Sequence, residues 1–309
     1  MAVTRGRIRN RPRRRYRRGV DPLAYLLDGP RAKDAFTLRA VLDPPWCLRI
    51  EDRAPLAVVA MVRGQAWVRP DDAAPIQLLP GDVAIARGPD PYTVADDLAN
   101  PVQVVIRPGD RCTAPDGSDL HDAMSLGVRT WGNSATGGTV MLVGTYHSDG
   151  ELSQRLLRCL PALAVLHDDP ATAPLVALLA GEMRRDEPGQ SVVLDRHLDL
   201  LLITALRAWF ARPDARPPAW YTASADPVVG PALRLLQQSP GHPWTVADLA
   251  AKAGVSRAAL ARRFTALVGE PPMAYLTGWR LSLAADLLRE PDMTLAAIAS
   301  RTATPRRSR

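Results

Sequence analysis

The 309-residue sequence is poor in aromatic residues and cysteine, and it has no long apolar run. Its only cysteines are Cys47, Cys112 and Cys159. Their odd number and the lack of C-x-x-C spacing argue against a disulfide framework and a zinc site, and favour reduced thiols in the cytoplasm. The longest apolar stretch, 198–206, contains Asp199 and is too short to cross a bilayer. No apolar segment follows the amino-terminal arginines, which argues against a secretory or twin-arginine signal.

The positive charge lies at the two ends of the chain. The formal net charge is +7, but residues 1–18 carry nine arginines and no acid, and residues 301–309 carry four arginines and no acid. Residues 19–300 therefore carry a net charge of −6. We expect residues 1–19 to form a disordered basic tail. That tail is either a phosphate-binding arm or an upstream extension without a selected role.

Residues 20–150 are predicted to form a small β-sandwich or barrel. Pro, Gly and Asp separate short apolar or β-branched runs, as is typical of such folds. Arg63-Gly64 predicts a tight hairpin, and Pro80-Gly81-Asp82 predicts a second turn. The runs are residues 36–41, 56–62, 65–68, 82–86 and 102–106.

From residue 151 the apolar period changes from 2 to 3.6 residues, which predicts helices. Apolar stripes occupy residues 152–163 (with a break at Pro161), 175–183 and 194–209. The third stripe is so wide that a helix there needs cover on two sides. A second copy of the chain is the candidate for the outer cover, and helices packed only on the β unit are the alternative. The proline-rich residues 211–226 lack periodicity and predict a semi-stiff linker.

After a predicted helix over 228–238, the sequence carries the pattern of two helices joined by a tight turn. Thr245 and Asp248 predict a capping box at the start of the first helix. Gly254 ends that helix, and Ser256 is the N-cap of a second helix over 257–268. Two helices joined in this way are typical of a helix-turn-helix unit.

The second of these helices has two distinct faces. At 100° per residue, Leu260, Phe264 and Leu267 share one face and are predicted to be buried. Small residues on the opposite face would let the backbone enter a major groove, where a central arginine can bind guanine and flanking arginines can bind phosphates. An αα-hairpin with a solvated arginine face is the alternative. The predicted DNA-binding residues are Ser256, Arg257, Ala258, Ala261, Arg262 and Arg263.

Residues 228–300 resemble the DNA-binding domain of AraC-type bacterial transcription regulators. The resemblance implies that Ala258, Ala261 and Arg262 face the groove, and that helix 273–289 is a rigid connector between two helix-turn-helix units. It is carried by the motifs A-x-x-x-G-[VY]-S, L-x-R-x-F and G-x-[PS]-x-x-Y-[IL]-x-x-x-R-[LM]. The matching residues are Ala250, Gly254, Val255, Ser256, Leu260, Arg262, Phe264, Gly269, Pro271, Tyr275, Leu276, Arg280, Leu281, Ala284 and Leu288.

The upstream segments R-G-x-A-W-V and L-x-P-G-D-V are similar to the cupin-type sensor domain that often precedes this DNA-binding domain. The resemblance implies that the helices of residues 151–210 form a dimerisation segment. The expected fold class is therefore α+β multidomain. It comprises a small cupin-like β-barrel over 20–150, the helical dimerisation segment, a linker over 211–226 and an all-α helix-turn-helix domain over 227–309.

The carboxyl end departs from the family pattern. Thr294 predicts the N-cap of a second helix-turn-helix unit, but the expected G-[YF]-x-[ST]-x-x-x-F recognition helix does not follow. We expect this second unit to be truncated, with Leu295 and Ile298 left without cover and with weakened DNA binding. A reading-frame slip after Thr302 is one hypothesis, which fails if no single-base insertion in the gene restores G-Y-x-T-P-F.

The sequence contains no pattern typical of an enzyme. The H-x-H motif of metal-binding cupins is absent, the five histidines are scattered, and no P-loop, G-x-S-x-G or H-E-x-x-H is present. We expect no catalysis, no metal and no cofactor. The barrel interior could hold one small molecule. Trp46, Trp67 and Tyr92 are candidate ligand-binding residues, with ordinary core packing as the alternative.

These patterns together predict a cytoplasmic, sequence-specific, DNA-binding transcription regulator that responds to a small-molecule effector. Its expected partners are double-stranded DNA, the effector and a second copy of the chain, with no membrane. The alternative is a sensor or dimerisation protein that has lost specific DNA binding through truncation.

Overall fold

The computed structural model describes residues 36–146, 155–185, 187–289 and 293–302. These residues form an amino-terminal β-barrel with helices on one outer face, a short linker and a helical carboxyl-terminal part. The predicted tail 1–19 lies outside them. So do residues 303–309, on which the truncation and the reading-frame hypothesis rest. Within the described segments, no helix is long and apolar enough to span a bilayer.

The described strands form two sheets that face each other. The strands are β1 (Phe36–Leu42), β2 (Cys47–Ile50), β3 (Leu56–Arg63), β4 (Ala66–Pro70), β5 (Ile76–Leu78), β6 (Val83–Arg87), β7 (Tyr92–Ala95), β8 (Val104–Arg107), β9 (Arg111–Thr113), β10 (Ser125–Gly127), β11 (Thr130–Trp131), β12 (Thr139–Tyr146) and β13 (Leu163–Leu166). The first sheet has the order β10-β11-β1-β12-β3-β6-β13, and the second has the order β5-β4-β7-β2-β8-β9. The predicted β-barrel is therefore present.

Strand β3 is buried on both faces, which explains its uninterrupted apolar sequence. Ala57 and Val59 point into the core between the two sheets. Leu56 and Val58 point outward, into a second core formed with the helices. A sheet that is covered on both sides selects apolar residues at every position, and the usual alternation with polar residues is lost.

Two local predictions in this part of the chain are wrong. Arg63-Gly64 does not close a hairpin, because β3 pairs with β6 and β12 whereas β4 pairs with β5 and β7. The turn instead carries the chain from one sheet to the other. Of the stripe predicted as helix over 152–163, only 155–157 is helical among the described residues. Residue 163 begins β13, which pairs with β6 and lies beyond the predicted domain boundary at residue 150.

Two helices, α1 (Ala173–Glu182) and α2 (Gln190–Phe210), form a helical layer on the outer face of the first sheet. Leu198 of α2 is fully buried there. Gly144 of β12 permits this close approach, because a Cβ atom at that position would collide with Cδ1 and Cδ2 of Leu198. The outer side of the layer remains apolar in places, and its exposed residues are Leu178, Val192, Val193 and Leu200.

The linker is more ordered than its sequence predicts. Residues 211–226 include a short helix, α3 (Ala219–Ala223). The ring of Tyr221 lies 5.2 Å from that of Phe210, at the end of α2. Trp220 packs against both the helical layer and the carboxyl-terminal core. The linker is held in place because its two aromatic side chains bury apolar surface against the parts of the chain on either side.

The described carboxyl-terminal residues form five helices, of which the first four surround one apolar core. They are α4 (Val229–Gln238), α5 (Val246–Ala253), α6 (Arg257–Val268), α7 (Pro272–Leu288) and α8 (Leu295–Thr302). Thr294 caps α8 by accepting a hydrogen bond from the Ala297 N–H at 3.2 Å, as predicted. The prediction that Ile298 lacks cover is wrong, since it is 5% exposed. The packing of α8 on α7 supplies that cover, whereas Leu295 is 75% exposed.

Candidate nucleic-acid interface

Local hydrogen bonds determine where α5 ends and α6 begins. The Thr245 side chain accepts from the Asp248 N–H and the Asp248 carboxylate accepts from the Thr245 N–H, both at 3.1 Å, so the predicted capping box is confirmed. Gly254 ends α5 with a φ of 70°, a left-handed conformation that favours glycine. Ser256 Oγ then accepts from the Ala259 N–H at 3.2 Å. The bounds predicted for α6, 257–268, are therefore confirmed.

The inner face of α6 anchors it in the core. Leu260 and Phe264 are fully buried, and the Phe264 ring meets the Tyr275 ring edge-on, with 5.9 Å between centroids. The predicted burial of Leu267 is wrong, because that side chain is 39% exposed and Val268 is buried instead. The buried row follows i, i+4 and i+8, one of the two side-chain rows on a helix surface.

The outer face of α6 is exposed along the positions predicted to meet DNA. Ser256, Arg257, Ala258 and Arg262 are exposed, and Ala261 is half-buried. Arg262 lies two residues before Phe264 and thus about 200° around the helix from it. Arg257 and Arg262 make no salt bridge with any residue of the described segments. Their guanidinium groups are therefore open to an external acceptor.

Arg263 differs from these two arginines because it is bound within the protein. Its Nε donates to Oδ1 and Oδ2 of Asp226 at 3.1 and 3.0 Å, and its Nη2 donates to Oδ2 at 2.7 Å. The Asp226 carboxylate also accepts from the N–H groups of Val228 and Val229, both at 2.9 Å. These hydrogen bonds, that of Arg263 first, lower the pKa of Asp226 to about 2. The phosphate contact predicted for Arg263 competes with this ion pair.

Two further contacts hold the scaffold behind α6. Arg280 of α7 donates to the carbonyl oxygens of Pro240 and His242, at 2.6 and 2.9 Å. Gln237 of α4 donates to the Tyr275 hydroxyl at 2.6 Å. Both contacts join α7 to residues upstream of α5. They hold α7 and α4 together on the side of the helix-turn-helix unit opposite the exposed face of α6.

A second candidate site is a cavity of about 500 Å³ between the two sheets. Tyr92 lines it, as predicted for a ligand-binding residue, whereas Trp46 and Trp67 lie outside its lining. Trp46 is fully buried in the inter-sheet core, and Trp67 is half-buried on β4. Most of the residues that line the cavity are apolar, and several are charged. The apolar lining includes Leu38, Leu48, Ile50, Val59, Val94, Ile106, Met141 and Val143, and the charged lining includes Asp52, Asp110, Arg111, Asp119 and Arg129.

Trp131 of β11 is a cavity residue that the sequence reasoning missed. Its side chain is 6% exposed, and among the described residues its Nε1 has no partner that satisfies hydrogen-bond geometry. Its polar neighbour is the Cys112 thiol, a weak acceptor: burial raises the pKa of that thiol to about 11, and the interaction with the Trp131 side chain partly offsets the rise. An unpaired buried donor is uncommon, since most buried polar groups are satisfied. No signal in the sequence marks Trp131, because β11 has only two residues.

The described residues contain no cluster of three or more His, Cys, Asp or Glu side chains that could hold a metal ion. The cavity offers apolar walls, a buried indole N–H, a phenol and charged side chains of both signs. Burial raises the pKa of the Tyr92 hydroxyl, which keeps it protonated and able to donate a hydrogen bond at neutral pH.

Comparisons with known proteins agree with this architecture. A family model described as a cupin matches residues 21–211, and one described as a helix-turn-helix domain matches residues 249–303. A putative AraC-like transcription regulator of Streptomyces lividans is 34% identical over 287 residues, which cover 91% of this chain and 89% of the relative. Its counterpart in Streptomyces antibioticus is 33% identical over 286 residues, with the same coverage. The HTH-type transcriptional regulator AlkR of Acinetobacter baylyi is 26% identical, over 91% of both chains.

Solved structures are more distant in sequence. ToxT of Vibrio cholerae is 11% identical with a TM-score of 0.28, and the match covers 87% of this chain and 88% of that one. The AraC-like transcriptional activator CuxR is 13% identical with a TM-score of 0.26, and the match covers 81% of this chain and 69% of that one.

Proposed function

The chain belongs to the family of AraC-like transcription regulators, and from this premise we propose that it reads DNA by placing α6 in the major groove. One observation supports this role above the others. The exposed Arg262 lies opposite the fully buried Phe264, so the helix is anchored on one side and presents a guanidinium group on the other. The relatives are transcription regulators, and catalysis has no place in the proposal.

The residues of the predicted DNA-binding set other than Arg263 have the following proposed roles. Arg262 donates two hydrogen bonds to O6 and N7 of a guanine. The small side chains of Ala258 and Ala261 let the helix backbone approach the base edges. Arg257 and the first N–H groups of α6, beside Ser256, bind phosphates and set the register of the helix on the duplex.

The test is a titration of the full chain against intergenic DNA flanking its gene and against bulk DNA, at two salt concentrations. We expect Arg262→Ala to weaken specific binding by about 1–3 kcal/mol and to change binding to bulk DNA little. Arg257→Ala should weaken both kinds of binding and reduce the salt slope by about 1. Arg69→Ala, which removes an exposed arginine of strand β4, is the control and should change neither.

The opposite result supports the other candidate function. If the wild-type chain binds both DNAs equally, and deletion of residues 1–18 abolishes that binding, α6 does not read sequence. The chain is then a sensor or dimerisation protein.

For the cavity we propose an uncharged effector with an apolar body and one hydrogen-bond acceptor. The apolar residues that form most of the lining favour an uncharged body, because a charge in contact with them would be costly to bury. The Trp131 Nε1 supplies the donor that such an acceptor requires. A volume of about 500 Å³ is within the range of small-molecule sites.

Two probes of matched shape test this effector class by calorimetry: benzylacetone, which has a carbonyl group, and isopentylbenzene, which does not. We expect benzylacetone to bind about 2- to 12-fold more tightly, the range for one neutral hydrogen bond. Trp131→Phe should remove that preference, and Trp67→Phe, outside the cavity, should leave it unchanged. Equal binding of the two probes by the wild-type chain, or binding of neither, contradicts the proposed class.

We also propose that the chain acts as a homodimer through its helical layer. Leu178 of α1 and Val192 and Leu200 of α2 are exposed on the side of the layer that faces away from the sheet. Apolar side chains that recur at helical spacing on an exposed face are typical of surfaces that bind a second chain.

A further inference from the structure

We propose that Asp226 and Arg263 are a pair of positioning residues, which join the linker to α6 and thereby set how α6 meets the DNA groove. The proposal rests on the role of α6 as the DNA-reading helix. It assigns Arg263 a place inside the protein and not a phosphate contact. The pair is separated by 37 residues in sequence.

The Asp226 carboxylate lies where three helices meet. It follows α3 by three residues, caps the start of α4 through the N–H groups of Val228 and Val229, and binds the guanidinium group of α6. Its side chain is only 13% exposed. A bidentate arginine–carboxylate pair restrains direction as well as distance, so it limits rotation of α6 about its own axis.

Apolar contacts support the ion pair. Helix α3 packs directly against α6. Ala223, the last residue of α3, is fully buried in the same core as Phe264. The linker therefore touches α6 at two points, one apolar and one ionic, which together fix both its position and its rotation.

The other end of α3 is joined to the sensor part of the chain. Tyr221 contacts Phe210 at the end of α2, and Trp220 contacts the cores on both sides. A continuous set of packed side chains thus runs from the helical layer through α3 to Arg263. Movement of α2 relative to the helix-turn-helix unit must either move α6 or break this set of contacts.

A phosphate contact for Arg263 would be costly. Arg263 would have to leave Asp226, and a carboxylate that is mostly withdrawn from water would lose its cationic partner. Arg257 and Arg262 have no such partner among the described residues and are available to DNA without that cost.

The experiment uses the full chain and the same DNA titrations, with Asp226→Asn, Arg263→Ala and the double variant. Asparagine keeps an oxygen that can cap α4 and removes the charge that holds Arg263. We expect each single variant to weaken specific binding roughly fivefold or more, and the double variant to bind no more weakly than the weaker single variant. The dependence of affinity on salt should stay as in the wild type, because no phosphate contact is lost. Arg263→Lys should not rescue binding, since lysine cannot form the bidentate pair.

Three results overturn the proposal. The first is a salt slope reduced by about 1 in Arg263→Ala together with unchanged or tighter binding by Asp226→Asn, which makes Arg263 a phosphate contact. The second is additive losses in the double variant. The third is wild-type affinity in variants shown to be folded by circular dichroism, which makes the pair merely structural.

The Arg262→Ala variant separates this inference from the proposed function. If Arg262→Ala leaves specific binding unchanged, the proposal that α6 reads DNA is wrong, whatever the results for the Asp226 and Arg263 variants. If Arg262→Ala behaves as expected and the Asp226 and Arg263 variants do not, only the positioning role fails.

Discussion

The Asp226 carboxylate accepts five hydrogen bonds, three from Arg263 and two from backbone N–H groups. Every one of them favours the ionised form, so the protonation of this one residue is linked to folding. The pKa of Asp226 in the folded chain, about 2, lies below its ordinary value of 3.8. The stability it contributes is therefore present above about pH 4 and is lost as the pH falls from 4 through 2.

We expect Asp226→Asn to be less stable than the wild type at pH 7. The difference in free energy of unfolding between the two should shrink as the pH is lowered. Urea unfolding of the full chain at pH 7, 5, 4 and 3 measures the difference between the two. Asp195→Asn is a control of opposite sign, because burial raises the pKa of Asp195 and its ionised form is disfavoured in the folded chain. The free energy of unfolding of Asp195→Asn should rise relative to that of the wild type as the pH rises from 3 to 7. An Asp226→Asn difference that is the same at pH 7 and pH 3 would contradict the linkage.

The elements that could be predicted from the sequence are those whose ends are set by local chemistry. The bounds of α6 follow from Gly254 and Ser256, whose conformation and hydrogen bonds involve neighbours within a few residues. The exposure of Arg262 and the burial of Phe264 follow from helix periodicity in the same way. Leu267 and Val268 are adjacent apolar residues at the end of the helix, where periodicity alone does not decide which one is buried.

Elements that depend on distant partners could not be predicted. Residues 163–166 form strand β13 because β6 offers an unpaired edge, which their own sequence does not encode. Helix α3 is short and forms among prolines because Trp220 and Tyr221 find apolar surfaces on both sides. The pairing of Asp226 with Arg263 and the lining of the cavity by Trp131 likewise arise only when the whole chain is folded.

At the scale of the whole molecule, the helical layer is the surface expected to join two chains. We expect the wild-type chain to sediment as a dimer and Leu200→Glu to sediment as a monomer, because a carboxylate at the centre of an apolar contact would be buried without a partner. Analytical ultracentrifugation measures both. Leu79→Glu, at an exposed apolar position in a turn of the barrel, is the matched control and should remain dimeric. A monomeric wild-type chain, or a Leu200→Glu variant that remains dimeric, would contradict the proposed interface.

Strand β12 lines the cavity with one face and packs against α2 with the other. Met141 and Val143 line the cavity, while Gly144 lies against Leu198 on the other side. A single strand therefore separates the cavity from α2. At Gly144 there is no side chain that could change its rotamer if the strand moved. Because packed interiors compress very little, any guest large enough to press that strand outward must lift the helix resting on it.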